Sequence, residues 1–217
     1  MFIPQNRYSM LTPKQIIIFE AFLRKPYIEL TFKEIKEYSK EKSNSIIQKA
    51  IATFLKDKLL RKRKVGNILL YAVNLENSLV FSYFNILINV KLSNLVNSSL
   101  TIIKEELSNL EFISIVIFGS YAAGKQTEKS DLDIAILVNS TENKKNCELS
   151  MKSAELKSIL ALDVHVILKD EMLQMLRDKE ENLGKQIARK HLAVQNPMIF
   201  YSILAEGINN GFKIVYS

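Results

Sequence analysis

The sequence predicts a mixed α/β chain in two modules, a helical basic one ahead of one built on a short sheet, and three observations predict it. Capping signals followed by apolar residues at helical spacing fill the first third. From residue 112 onward, β-branched and apolar runs of strand length alternate with stretches that suit helices. The charge is also divided. The net +7 comprises +9 over residues 1–75, where 15 Lys+Arg face 6 Asp+Glu, and −2 over the rest, where 15 face 17. Such asymmetry suits two modules, one of them facing a polyanion.

The composition narrows the class. With 47% hydrophobic and 24% charged residues the chain reads as soluble and globular. Its one cysteine, Cys147, excludes an internal disulfide and fits a reducing compartment. No basic start followed by an apolar run marks a signal peptide. The longest charge-free apolar stretch, Asn77 to Val90, has 14 residues, short of the roughly 20 that span a bilayer. The expectation is a cytoplasmic protein without membrane attachment.

In the first module, residues 1–75, Thr12 followed by Pro13 starts a helix, with Ile16, Ile17, Phe19 and Leu23 inward. A second starts at Thr31, with Phe32, Ile35 and Tyr38 inward. A third starts at Ser43, and Ile46, Ile47, Ala50, Ile51, Phe54 and Leu55 form its stripe. Residues 59–65 and 68–73 flank Gly66-Asn67 as a hairpin would. Three short helices and a hairpin resemble a winged helix-turn-helix over roughly residues 10–75. That resemblance places the third helix in a DNA major groove, offering Ser45, Gln48, Lys49 and Lys56, and sets Arg61, Lys62, Arg63 and Lys64 of the wing against phosphates. Asn44 and Gln48 are the side chains suited to bidentate base contacts. The same shape also serves as a protein-docking or dimerisation module.

Residues 76–110 contain neither proline nor glycine and read as one long linking helix or two abutting ones. Their apolar stripe, which includes Leu79, Tyr83, Leu87, Val90, Leu95 and Val96, is to be covered by the flanking domains or by a second subunit, a homodimer.

The chemistry lies in residues 111–217. Residues 112–118 form a buried-strand run, closed by Gly119-Ser120 and then Tyr121-Ala122-Ala123-Gly124. A strand that ends in glycine and opens a helix gathers free backbone N–H groups that favour phosphate. After a polar loop comes Asp131-Leu132-Asp133, and residues two apart on a strand share a face. Adjacent carboxylates repel unless a hard cation sits between them. A third strand, Leu160 to Leu168, carries Asp163; if it lies beside the Asp131 strand, three carboxylates meet. His165 shares the Asp163 face, although a packed or surface histidine is the simpler reading, and His191 reads as structural.

Gly119-Ser120, ten intervening residues, Asp131-x-Asp133 and a later strand aspartate together resemble the polymerase beta-type nucleotidyltransferase superfamily, and most of all its minimal nucleotidyltransferase branch, over roughly residues 110–170. The resemblance implies a short mixed sheet with helices and a non-templated transfer of a nucleoside monophosphate from an NTP, ATP by preference, to a protein or small-molecule acceptor. It implies magnesium or manganese held by Asp131, Asp133 and Asp163, the last also activating the acceptor hydroxyl. Gly119 and Ser120 hold the triphosphate and Ser130 shapes the loop before the metal. The branch often has a basic residue where this chain has Ala123; Lys125 and Lys129 stand nearby. Such proteins are often partnered with small helical toxins of the HEPN type, a candidate acceptor. The alternative is a DNA-binding regulator, antitoxin-like, whose transferase domain is weak or silent.

In the remainder, residues 143–160 suit a helix crossing between the acidic strands, Asp170 caps another, and Leu183, Ile187, His191 and Val194 continue a helical pattern to Asn196. Pro197 opens the last helix, with Met172 and Met175 as core fillers.

Overall fold

The computed structural model describes residues 10–214, and the chain divides into two compact units, Met1–Leu87 and Ile88–Ser217. In the first, the caps set the helices. The Thr12 hydroxyl accepts from the Gln15 N–H at 3.3 Å, and the Gln15 side chain accepts from the Thr12 N–H at 2.9 Å, opening α1 (Pro13–Arg24). Thr31 and Glu34 repeat the device for α2 (Phe32–Ser39), just after the two-residue strand β1 (Leu30–Thr31). Ser43 caps α3 (Asn44–Lys56).

The hairpin strands are β2 (Leu60–Val65) and β3 (Ile68–Val73), antiparallel, with β1 on the other side of β3. Gly66 has φ +58°, the left-handed conformation that a two-residue hairpin turn requires at its first central position. Phe19 anchors the core: its ring lies 5.1 Å from Phe54 and 5.7 Å from Phe84, centroid to centroid, and all three are fully buried. The inward face of α1 differs from the expectation. Ile18 and Phe22 are buried and Ile17 is exposed. Three successive isoleucines leave the phase of the helix open, and the aromatic partners decide it.

Residues 76–110 hold two helices, α4 (Ser78–Lys91) and α5 (Asn94–Glu106), with the break at Leu92-Ser93, where the Ser93 hydroxyl accepts from the Val96 N–H. A serine cap ends the run without proline or glycine. Along it, Val90 and Leu95 are exposed.

The second unit is built on a four-stranded mixed sheet of β4 (Ser114–Ile117), β5 (Leu132–Val138), β6 (Leu162–Leu168) and β7 (Leu192–Gln195), in the order β6-β5-β4-β7. β5 and β6 are parallel, joined by α7 (Thr141–Lys157); β4 runs antiparallel to both β5 and β7. Every residue of β4 and β5 is buried except Asp133, so both sheet faces are covered along the two central strands. α8 (Lys169–Arg177), α9 (Leu183–Arg189) and α10 (Pro197–Asn209) complete the unit.

Two local expectations are corrected. Residues 192–195 form β7 rather than a continuation of the helix, because β4 offers them a second ladder edge through Val116 and Ile117. Asp170 does not cap α8. Glu171 accepts from the Leu168 N–H at 2.9 Å and is itself held by Lys144. His191 is buried beside the rings of Phe200 and Tyr201, as a structural residue would be.

Candidate active site

β4 is followed by Phe118, whose N–H donates to the Asp133 carbonyl at 3.1 Å. The chain then turns through Gly119 at φ +61° into the five-residue helix α6 (Gly119–Ala123), which Gly124 closes at φ +65°. Gly119 has a reason beyond its φ. A Cβ there would lie 2.0 Å from Asp133 Oδ2 and 2.6 Å from its Cγ. The missing side chain is the space that the Asp133 carboxylate occupies. The next amide, that of Ser120, donates to the same carboxylate. One of the N–H groups expected to meet phosphate is therefore spent on Asp133.

The loop from Lys125 to Ser130 is held by its last residue. The Ser130 hydroxyl accepts from the Thr127 N–H at 2.9 Å, the Ser130 N–H donates to the Thr127 carbonyl, and the Tyr121 hydroxyl reaches the Ser130 carbonyl at 3.5 Å. Ser130 shapes the loop that delivers Asp131, and Tyr121, not singled out in the sequence, braces it. Asp131 is exposed at the head of β5; Asp133 follows, half-buried.

The register of β5 and β6 sets Asp133 directly opposite Asp163, so their side chains leave the sheet on one face. Burial, first of all, raises the Asp133 pKa above the ordinary aspartate range. The Ser120 N–H opposes that shift, and the charges of Asp163 and Asp131 add to it. Both other carboxylates thus act on Asp133. As the side chains stand, no three carboxylate, imidazole or thiol groups among the described residues are close enough to chelate one ion. The set is an open fan. Its oxygen-only donors are of the hard kind that divalent magnesium or manganese takes, and that cation leaves positions for water and phosphate.

Asp163 is half exposed, on the edge strand β6. His165 is nearer the site than a packing residue would be: its Nε2 stands 3.2 Å from Asp163 Oδ1, and its ring lies 5.8 Å from that of Phe118. The i, i+2 spacing on a strand was the signal for it. Cys147 is buried, and burial pushes its thiol up to about 12, which leaves it protonated and inert.

In the first unit the DNA-contact candidates divide. Gln48 and Lys49 are exposed on α3, and Asn44 accepts from Lys36 Nζ at 2.7 Å. On β2, Arg61 is paired with Glu76 and Arg63 with Glu29. Lys62 and Lys64, on the opposite face of the strand, meet no carboxylate among the described residues.

No helix is long and apolar enough to cross a membrane among the described residues. Residues 100–189 match the family described as the nucleotidyltransferase domain, a span that includes Gly119, Ser120 and all three aspartates. The chain is similar to a protein of Methanocaldococcus jannaschii named "Putative protein adenylyltransferase", 26% identical over 128 residues, which are 58% of this chain and 71% of that one. No solved structure matches. With the domain match lying over the glycine-cradled aspartate and its in-register partner, the chain is an enzyme of the nucleotidyltransferase class.

Proposed function

We propose that the second unit transfers AMP from ATP to a hydroxyl of a protein acceptor, with magnesium or manganese held by Asp131, Asp133 and Asp163. The observation that carries this is the Gly119–Asp133–Asp163 arrangement. A carboxylate is drawn into the space of a missing Cβ, anchored by an amide, and set beside a second carboxylate across a parallel ladder. Such geometry fixes two acidic groups at the mouth of a strand–helix junction where phosphate can approach. Asp163, the more exposed, would take the acceptor proton, with His165, 3.2 Å away, orienting its carboxylate. Ser120 and Gly119 face the triphosphate. A bound divalent cation would supply charge neutralisation at the transferred phosphorus and the departing pyrophosphate. A protein as acceptor is supported by the similar Methanocaldococcus jannaschii protein, named as a protein adenylyltransferase.

The first unit is proposed to be a winged helix that contacts duplex DNA. Lys62 and Lys64 rather than the paired arginines would neutralise phosphates, with Gln48 and Lys49 facing a groove. To test the enzymatic reading, each α-labelled NTP is incubated with the chain, magnesium and cell lysate. Label from ATP on a protein band, lost with Asp133→Asn, is the expected result; no transfer from any NTP would overturn it.

A further inference from the structure

We infer that the free edge of β6 is the acceptor's docking rail: an extended segment of the acceptor adds to the sheet beside β6 and so brings its hydroxyl to Asp163. This rests on the protein-directed transfer proposed above. β6 is the outermost strand of the sheet, paired on one side only. The phase of its ladder is fixed by the Leu132 N–H, which donates to the Ala161 carbonyl at 2.8 Å, and by the Leu132–Leu162 register. In a parallel ladder with that phase, Asp163, His165 and Ile167 direct their N–H and C=O groups at β5. Leu162, Val164 and Val166 direct theirs outward. Among the described residues no backbone group outside β5 bonds to that outer edge.

Natural edge strands are ordinarily blunted by lysine, proline or a bulge. β6, Leu-Asp-Val-His-Val-Ile-Leu, has neither residue, and its seven pairs with β5 run without a register shift. Outward N–H and C=O groups repeating about every 6.6 Å are the complement of another extended backbone. The same strand carries Asp163 at its second position. A residue added directly opposite would place its Cβ about 5 Å from that of Asp163, on the same face. The transfer balances simply. The acceptor oxygen bonds to the α-phosphorus of ATP, its proton passes to the Asp163 carboxylate, and the bond to pyrophosphate breaks with its electron pair leaving on pyrophosphate.

The test uses the full chain, α-labelled ATP, magnesium and a library of short peptides with random flanks around a central serine, threonine or tyrosine. A second library carries N-methyl groups on alternate amides, which removes edge pairing and keeps every side chain. Label is expected in the first library and reduced about tenfold or more in the second, the worth of one or two backbone hydrogen bonds. Val164→Pro removes an outward N–H that β5 does not use, so it should cause the same loss and leave binding of a fluorescent ATP analogue within about twofold. Should its melting curve show unfolding, Val166→Pro serves the same purpose. Equal labelling of both libraries overturns the inference, as does full activity in the folded proline variants. So does label that enters lysate proteins but no peptide, or a parent dimer that the proline variants split without loss of transfer. If nothing at all is labelled, the reading of protein-directed transfer fails and this inference falls with it.

Discussion

Gly119→Ala and Gly124→Ala make a matched pair. Both glycines have left-handed φ, +61° and +65°, but a Cβ at 124 would meet nothing within 4 Å, whereas one at 119 would overlap Asp133 Oδ2 at 2.0 Å. The backbone cost of alanine in that conformation is about 1 kcal/mol or slightly more and applies to both. At 119 the carboxylate must also move by more than about 1 Å to restore ordinary contact, since the added Cβ would stand where Asp133 Oδ2 now lies. That displacement breaks its bond to the Ser120 N–H, a charged hydrogen bond worth about 1.5–3 kcal/mol. The sum is about 3–4 kcal/mol for Gly119→Ala against about 1 for Gly124→Ala. At about 2–4 °C per kcal/mol for a chain of this size, the melting temperature should drop by roughly 6–16 °C in the first and about 2–4 °C in the second. The larger difference is in catalysis. A misplacement of about 1 Å at a reacting group can cost about a hundredfold, so AMP transfer should fall at least that far in Gly119→Ala at a temperature where both variants are folded. Transfer in Gly124→Ala should stay within a few-fold of the parent. Equal activity in the two variants would refute the cradle.

Replacing Asp131, Asp133 or Asp163 singly by asparagine should reduce transfer by orders of magnitude, since charge stabilisation through a metal is worth several kcal/mol; a double replacement should cost little more, and single variants as active as the parent would rule out the triad. Because burial and the neighbouring aspartates raise the Asp133 pKa in the fold, its contribution to stability is fullest at low pH and lost as pH rises. Asp133→Asn should therefore raise the melting temperature at pH 7 without divalent cation, measured by calorimetry. For DNA, Lys62→Ala with Lys64→Ala should flatten the slope of log K against log salt by about two units, and Arg61→Ala with Arg63→Ala by less, their charges being already paired; the reverse order would sink that assignment. His191, lowered to about 4 by burial, supports the fold fully above pH 6.5, and that support is lost as pH falls from 6.5 toward 4. His191→Phe should remove this part of the acid sensitivity, on the order of 3 kcal/mol at full extent, and an unchanged acid melt would contradict it.

What could be read in the sequence was what is local. Thr12, Thr31 and Ser43 all cap helices, since a cap needs only its own next three residues. The Gly-Ser and Asp-x-Asp elements of the site were legible for the same reason. What joins them was not. The register that sets Asp133 opposite Asp163 belongs to a ladder between residues 30 apart in sequence. β7 was misread because Leu192 to Val194 continue the helical spacing of Ile187, and only the open side of β4 turns them into a strand. The partners of Arg61 and Arg63 were not legible, because the carboxylates of Glu76 and Glu29 come from elsewhere in the chain.

The function of Gly119 shows how a local signal can conceal a non-local cause. As a strand-to-helix turn it needs only φ +61°, which asparagine or aspartate would tolerate at modest cost. What excludes them is the Asp133 carboxylate, delivered from the next strand by the Phe118–Asp133 backbone bond. The carboxylate in turn is half-buried against its preference and repelled by Asp131 and Asp163, a cost that the Ser120 amide offsets only in part. A ligand that binds the folded state alone shifts stability toward it in proportion to the logarithm of its concentration. A cation bridging these carboxylates would relieve the repulsion, so stability and catalysis are coupled through one atom group. The melting temperature of the parent should rise with magnesium and nucleotide together, while that of Asp133→Asn should start higher and respond less.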